Sequence, residues 1–205
     1  MSAAQLPVVL DGRSVSALVV GGGDVALRKV RGLLDAGAHV RVVARQISPE
    51  LRALASEYAA LTLVEGDYST EQMEDALVIV AATSDPETNA RAARDAPAHV
   101  RLVTVADAPE LGNYTTPAVH RRGDLLVTVT AGGVPGAAAR VRDAIAQRID
   151  ARYGSAVRAL ATLRRHLLAN GKRERWSAAA GVLIGEDFCA SVESGVFEER
   201  IERWR

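Results

Sequence analysis

Short apolar runs alternate with stretches of helical spacing through the first half of the chain. Residues 15–20 are an apolar run that ends in Gly21-Gly22-Gly23. Residues 24–36 follow at helical spacing, with Val25, Leu33 and Leu34 among the apolar positions, and stop before Gly37. A second strand is expected over 38–45, then a helix over 47–58 with Ser48 at its N-cap and Pro49 at its first position. Residues 61–68 alternate and predict a third strand, with a short helix or turn over 69–75. Residues 76–85 are a near-continuous apolar run, the pattern of a parallel strand buried on both faces. A helix over 86–95 and a fifth strand over 100–107 complete the series, and residues 5–13 precede it as a short strand with a turn at Asp11-Gly12. Strands alternating with helices predict an α/β doubly wound parallel sheet.

After Pro109 the pattern changes. A strand near 114–120, a turn at 122–124 and a strand over 125–130 read as a hairpin, followed by a helix over 135–153. Residues 155–205 read as all-helical. The expected organisation is therefore a nucleotide-type α/β domain over 1–113, a small α+β segment over 114–153 and a helical domain over 154–205. Hairpin strands with a helix make a suitable dimerisation element, so a homodimer is expected.

The turn after the first strand carries candidate chemistry. Gly21-x-Gly23-x-x-Ala26, between a strand and a helix start, is the dinucleotide-binding fingerprint of a Rossmann-type sheet. Gly21 allows the sharp turn, Gly23 lets a pyrophosphate approach the backbone, and Ala26 lets the helix pack close to the strand. Asp24 and Val25 would meet the phosphates through backbone N–H groups at the helix N-terminus. Arg45 and Gln46 end the second strand, where an Asp or Glu usually holds the ribose 2′-hydroxyl. An arginine there suits a 2′-phosphate, so NADP stands beside NAD; a solvated surface charge is the other reading of Arg45. Thr83 and Ser84 follow the fourth strand, placed either to cover the nicotinamide ribose or to cap the next helix with Asp85. Asp107 ends the fifth strand. Asp24, Arg45, Thr83 and Asp107 all follow strand ends and are expected along one crevice.

Composition narrows the partners. Lys+Arg and Asp+Glu both total 25, which argues against a nucleic-acid partner. Cys189 is alone, so neither a disulfide framework nor a Cys-rich zinc site is expected. His39, His99, His120 and His166 show no paired ligand spacing, so no metal site is expected. No apolar run reaches the length of a membrane span and the first residues lack a signal-peptide pattern, so no membrane partner and a cytoplasmic location are expected.

Four ordered stretches carry a family resemblance. They are Gly21-Gly22-Gly23-Asp24-Val25-Ala26-x-Arg28-Lys29, AATSDPETN (81–89), VTVADAPELGNYTTPAV (103–119) and LLVTVTAGGVPGAAARVRDAI (125–145). They resemble the precorrin-2 dehydrogenase family, the N-terminal part of siroheme synthases, over residues 1–150. The resemblance implies oxidation of precorrin-2 to sirohydrochlorin in siroheme biosynthesis, with NAD as cofactor and NADP as the alternative. It further implies a homodimer of Rossmann, dimerisation and helical parts. Asp107 matches the family's key aspartate, a candidate general base. Thr116 and Pro117 fall where the family closes its cleft, with His120 near it. The implied tetrapyrrole is rich in carboxylates and wants arginines. Arg140 is the candidate in the second segment, beside Arg121, Arg122 and Arg142. Residues 158–175 add a local excess of five positive charges.

The family often reads S-S-G-G-x-S-P where this chain reads Thr130-Ala131-Gly132-Gly133-Val134-Pro135, and V-N-V where it reads Val103-Thr104-Val105. Some members insert iron, which the histidine spacing here does not support. Two other readings keep the fingerprint: a regulatory module that senses NAD(H), with no need of Asp107, and a dehydrogenase of the same fold acting on another substrate.

Overall fold

The computed structural model describes residues 5–96 and 101–205. Strands β1 (Ser16–Val20), β2 (His39–Ala44), β3 (Leu61–Glu65), β4 (Val78–Ala81) and β5 (Leu102–Val105) form one sheet. Its order is β3-β2-β1-β4-β5, and every neighbouring pair is parallel. Helices α1 (Asp24–Leu34), α2 (Pro49–Glu57) and α3 (Pro86–Asp95) join β1 to β2, β2 to β3 and β4 to β5, while β3 reaches β4 through a short 3-10 turn at Thr70–Met73.

The near-continuous apolar strands follow from burial on both faces. Ala17 and Val19 of β1, with Val40 and Val42 of β2, pack against Ala26 and Val30 of α1 and Leu51 and Leu54 of α2. The alternate residues Leu18 and Val20, with Val43, Ile79 and Val103, pack with Ala92 of α3 and with Tyr68 and Met73. Period-two alternation in β1 thus feeds two cores, one on each side of the sheet.

The apolar run at 76–85 yields a strand only at Val78–Ala81. Beyond it the chain turns into the cap of α3. The start of the expected fifth strand and His99 lie outside the described residues.

Two compact units divide the chain between Thr116 and Pro117, where the sequence alone suggests three segments. In the second unit β6 (Ala118–Arg122) and β7 (Leu125–Val129) form an antiparallel hairpin, with Arg122 opposite Leu125 beside the turn. The strand expected near 114–120 begins only at Ala118. Helix α4 (Pro135–Arg148) follows, then α5 (Ala151–Ala169), α6 (Arg173–Leu183), α7 (Phe188–Ser194) and α8 (Val196–Glu202). The helix expected over 135–153 therefore stops at Arg148. Asp150 caps a new helix there, its carboxylate accepting from the Arg152 N–H at 2.9 Å. Within this second unit α5 docks on the hairpin. A Cβ at Gly154 would lie 2.4 Å from the Arg122 carbonyl oxygen, and Leu125 and Ile149 pack on the α5–α8 core of Leu163, Leu167, Leu183, Phe197 and Ile201. Among the described residues no helix is long and apolar enough to cross a membrane.

Candidate functional site

The strands all point the same way, so their C-terminal ends share an edge. The chain builds outward from β1 to β3, then crosses to β4, and the order reverses between β1 and β4. Ligands of such sheets sit in the crevice at that reversal.

The glycine turn lies there and is held from both sides. Gly21 has φ +129° and donates its N–H to the Val43 carbonyl at 2.9 Å. A Cβ on Gly21 would meet the Ala82 carbonyl oxygen at 2.3 Å, and one on Gly22 would meet the Gln46 carbonyl oxygen at 2.1 Å. Gly22 is thus as constrained as Gly21, although the fingerprint leaves its position free. At Gly23 the opposite holds: a Cβ would have no atom within 4 Å. That glycine faces open space, the room a pyrophosphate needs.

The helix N-termini tell the same story. Ser48 caps α2 by accepting from the Leu51 N–H at 3.3 Å. Asp85 caps α3 by accepting from the N–H groups of Glu87 and Thr88, and the Thr88 hydroxyl and Glu87 N–H hold its carboxyl below the usual range. At α1 the N-cap is Gly23 and no side chain closes the end. The N–H groups of Asp24, Val25 and Ala26 are left for an outside acceptor.

Arg45 and Gln46, directly after β2, are exposed. The Arg45 guanidinium pairs with the carboxylate of Asp67, which follows β3. Thr83 and Ser84 lie just beyond β4. Thr83 is clamped by Asn89, a buried side chain of α3. The Asn89 amide oxygen accepts from the Thr83 N–H at 3.0 Å and from its hydroxyl at 2.8 Å, and the Asn89 NH2 donates to the Thr83 carbonyl at 3.1 Å. The Thr83 hydroxyl also contacts the Asp85 backbone, so the loop is built into the α3 cap while Ser84 stays exposed. Asp107, two residues beyond β5, is exposed and makes no side-chain hydrogen bond or ion pair among the described residues. The residues expected after strand ends do fall along one edge.

Sequence reading passed over Asn89, Asp67 and Lys29. Asn89 stood in the motif AATSDPETN, and its burial was the missing signal. Lys29, on α1, donates from Nζ to the Thr116 hydroxyl at 2.8 Å. Its burial, with Arg28 beside it, holds the ammonium below the usual lysine range. Nearby in sequence, Tyr114 packs on the α1–α2 core, and burial pushes its phenol up.

The other substrate candidates are more scattered. Thr116 is exposed and Pro117 half-buried at the junction of the units. His120 is only 7% exposed, and its Nε2 lies 2.8 Å from the Ile149 carbonyl oxygen at the α4–α5 break. That contact ties the ring of this substrate candidate to the start of α5. Arg140 is exposed on α4 without a side-chain partner among the described residues. Arg142 is tied to Asp143 and the Val119 carbonyl. Within the second unit Arg175 lines a cavity of about 480 Å³ with Val182, Arg200, Arg203 and Trp204. Among the described residues no group of three His, Cys, Asp or Glu side chains is placed to hold a metal ion.

Comparison with known proteins agrees with this geometry. A family model described as NAD(P)-binding matches residues 8–118. A siroheme synthase of Chromobacterium violaceum is 37% identical over 95% of this chain and 43% of its own length. One of Azotobacter vinelandii is 44% identical over 80% of this chain and 34% of its own length. The chain thus spans less than half the length of these curated relatives. A solved structure of SirC, precorrin-2 dehydrogenase, superposes with a TM-score of 0.77 at 26% identity, covering 97% of this chain and 100% of that one. With the fingerprint standing at the sheet's switch point and the family model spanning the whole five-stranded unit, the chain belongs to the NAD(P)-binding family shared by these siroheme synthases and precorrin-2 dehydrogenase.

Proposed function

We propose that the chain is an NAD-dependent oxidoreductase that dehydrogenates precorrin-2 to sirohydrochlorin in siroheme biosynthesis. The observation that carries the reading is the uncapped N-terminus of α1, with Gly23 open to solvent at the switch point of the sheet. The names of the relatives support the substrate, and the fit of the crevice supports the cofactor.

The N–H groups of Asp24, Val25 and Ala26 bind the pyrophosphate, and Arg45 and Gln46 border the adenosine ribose. The loop at Thr83 and Ser84, stiffened by Asn89, borders the nicotinamide end. When bound, the nicotinamide supplies a two-electron acceptor. Two-electron oxidation of the macrocycle would also release a proton, which this chain's own residues must take up. Asp107 is the base: it is exposed, without a side-chain partner among the described residues, and on the same edge of the sheet. The rest of the task is orientation of the two partners. Thr116, Pro117 and Arg140 are the substrate contacts of this reading. A cytoplasmic homodimer built on the hairpin and α4 belongs to it as well.

The test is anaerobic turnover of precorrin-2 with NAD⁺, following reduced cofactor and the sirohydrochlorin spectrum together. Asp107→Asn is expected to lower turnover about 10²–10⁴-fold and to leave NADH affinity unchanged. Turnover that survives the substitution removes Asp107 as the base. A wild-type protein that binds NADH yet leaves precorrin-2 untouched sinks the substrate assignment and favours a same-fold enzyme for another substrate or an NAD(H) sensor.

A further inference from the structure

An arginine directly after β2 normally marks a site for a ribose 2′-phosphate. Here that arginine is already engaged. Arg45 donates from Nε to an Asp67 carboxylate oxygen across the ends of β2 and β3. Backbone contacts, rather than a chance side-chain meeting, bring Asp67 there. Ala44 pairs with Glu65 at the last step of the two strands. The next residue, Gly66, donates its N–H to the Ala44 carbonyl at 2.9 Å, so the chain stays beside β2 one residue longer. Asp67 follows at once. Its carbonyl accepts from the Gln72 side-chain amide at 3.3 Å, and Gln72 is itself held by the Ser69 N–H at 2.9 Å.

The electrostatic balance then works against a second phosphate. Asp85, at the N-cap of α3, lies close enough for its charge to act on Arg45 as well. Asp67 thus pairs with the guanidinium while Asp85 adds a weaker negative field, and a 2′-phosphate would bring about −1.5 to −2 further charge. A 2′-hydroxyl brings none and can donate to a carboxylate.

We propose that Asp67 is the cofactor-selecting residue of this site. It supplies from the end of β3 the carboxylate that the fingerprint usually takes from the end of β2, and by occupying Arg45 it makes the site prefer a ribose 2′-hydroxyl to a 2′-phosphate. The inference rests on the nucleotide-binding reading above and names how that site tells NAD from NADP. The two side chains are 76% and 75% exposed, so substitution leaves the fold intact.

The experiment is fluorescence titration of the full chain with NADH and with NADPH, without substrate, for wild type, Asp67→Asn and the double variant Arg45→Gln with Asp67→Asn. Circular dichroism melting verifies that each is folded. Wild type is expected to bind NADH more tightly. Asp67→Asn is expected to shift the ratio of dissociation constants at least tenfold toward NADPH, chiefly through tighter NADPH binding. The double variant is expected to lose that gain, because Asp67 acts through Arg45. A ratio within twofold of wild type in Asp67→Asn, or a wild type that prefers NADPH, overturns the inference and leaves the nucleotide site standing. A folded wild type that binds neither reduced cofactor overturns the nucleotide reading and this inference with it.

Discussion

Two glycines of one turn answer opposite demands, and the difference can be measured. Gly21 combines φ +129° with a carbonyl oxygen 2.3 Å from where a Cβ would sit. Gly21→Ala adds backbone strain to a clash that no side-chain rotation relieves, and is expected to cost about 2 kcal/mol or more. Gly23 has φ −98° and ψ −167°, extended backbone open to any residue, with empty space where a side chain would go. As the N-cap of α1 it is also a position where serine is preferred. Gly23→Ser is therefore expected to be as stable as wild type or better by a few tenths of a kcal/mol. The same hydroxyl would take the helix N–H groups and the space meant for the pyrophosphate. NADH affinity should fall at least tenfold, read by fluorescence titration beside a thermal melt. Unchanged affinity in a folded Gly23→Ser protein would remove α1 as the phosphate site.

At the scale of elements, α3 shows how a helix can serve a loop. Asn89 is 2% exposed and spends its amide on three contacts to Thr83 rather than on its own helix. Asn89→Ala leaves the half-buried Thr83 N–H and carbonyl without partners. The expected loss is about 2 kcal/mol, or about 4–8 °C in melting temperature, with a weaker grip on cofactor because the loop after β4 is freed. A melt and an NADH titration on one preparation read both effects, and a variant that melts like wild type would deny Asn89 its part in holding the loop. The caps of α2 and α3 were legible in Ser48-Pro49 and Asp85-Pro86, because a cap is a local matter of two or three residues. Asn89 was not, because its partner lies a helical turn and a loop away. The end of β4 is blurred for a related reason: Ala82 continues the apolar run and still donates its N–H to the Val20 carbonyl at 2.8 Å, although the strand itself ends at Ala81. The break between α4 and α5 hides likewise in helix-forming sequence, where only Asp150 marks the new cap.

Across the whole molecule the sequence told more about order than about depth. Alternating strands and helices announce the parallel sheet, and the fingerprint stands where its strand order reverses. Pairings between ends of different strands were illegible. Asp67 meets Arg45 only through the register of β2 with β3, and His120 turns inward only through the hairpin's packing near Ile149. A ligand tests the division into units directly. Binding stabilises whatever it touches by about 2.7 kcal/mol when free ligand is a hundredfold above its dissociation constant. Amide hydrogen exchange with and without NADH should therefore show slowed exchange around 21–26, 45–48 and 82–89, where the turn, the end of β2 and the α3 cap meet the crevice. The core of α5–α8, with Leu163, Leu183 and Phe197 buried among themselves, should exchange at its unliganded rate. Protection spread equally over α5–α8 would mean that the cofactor site is not confined to the five-stranded unit.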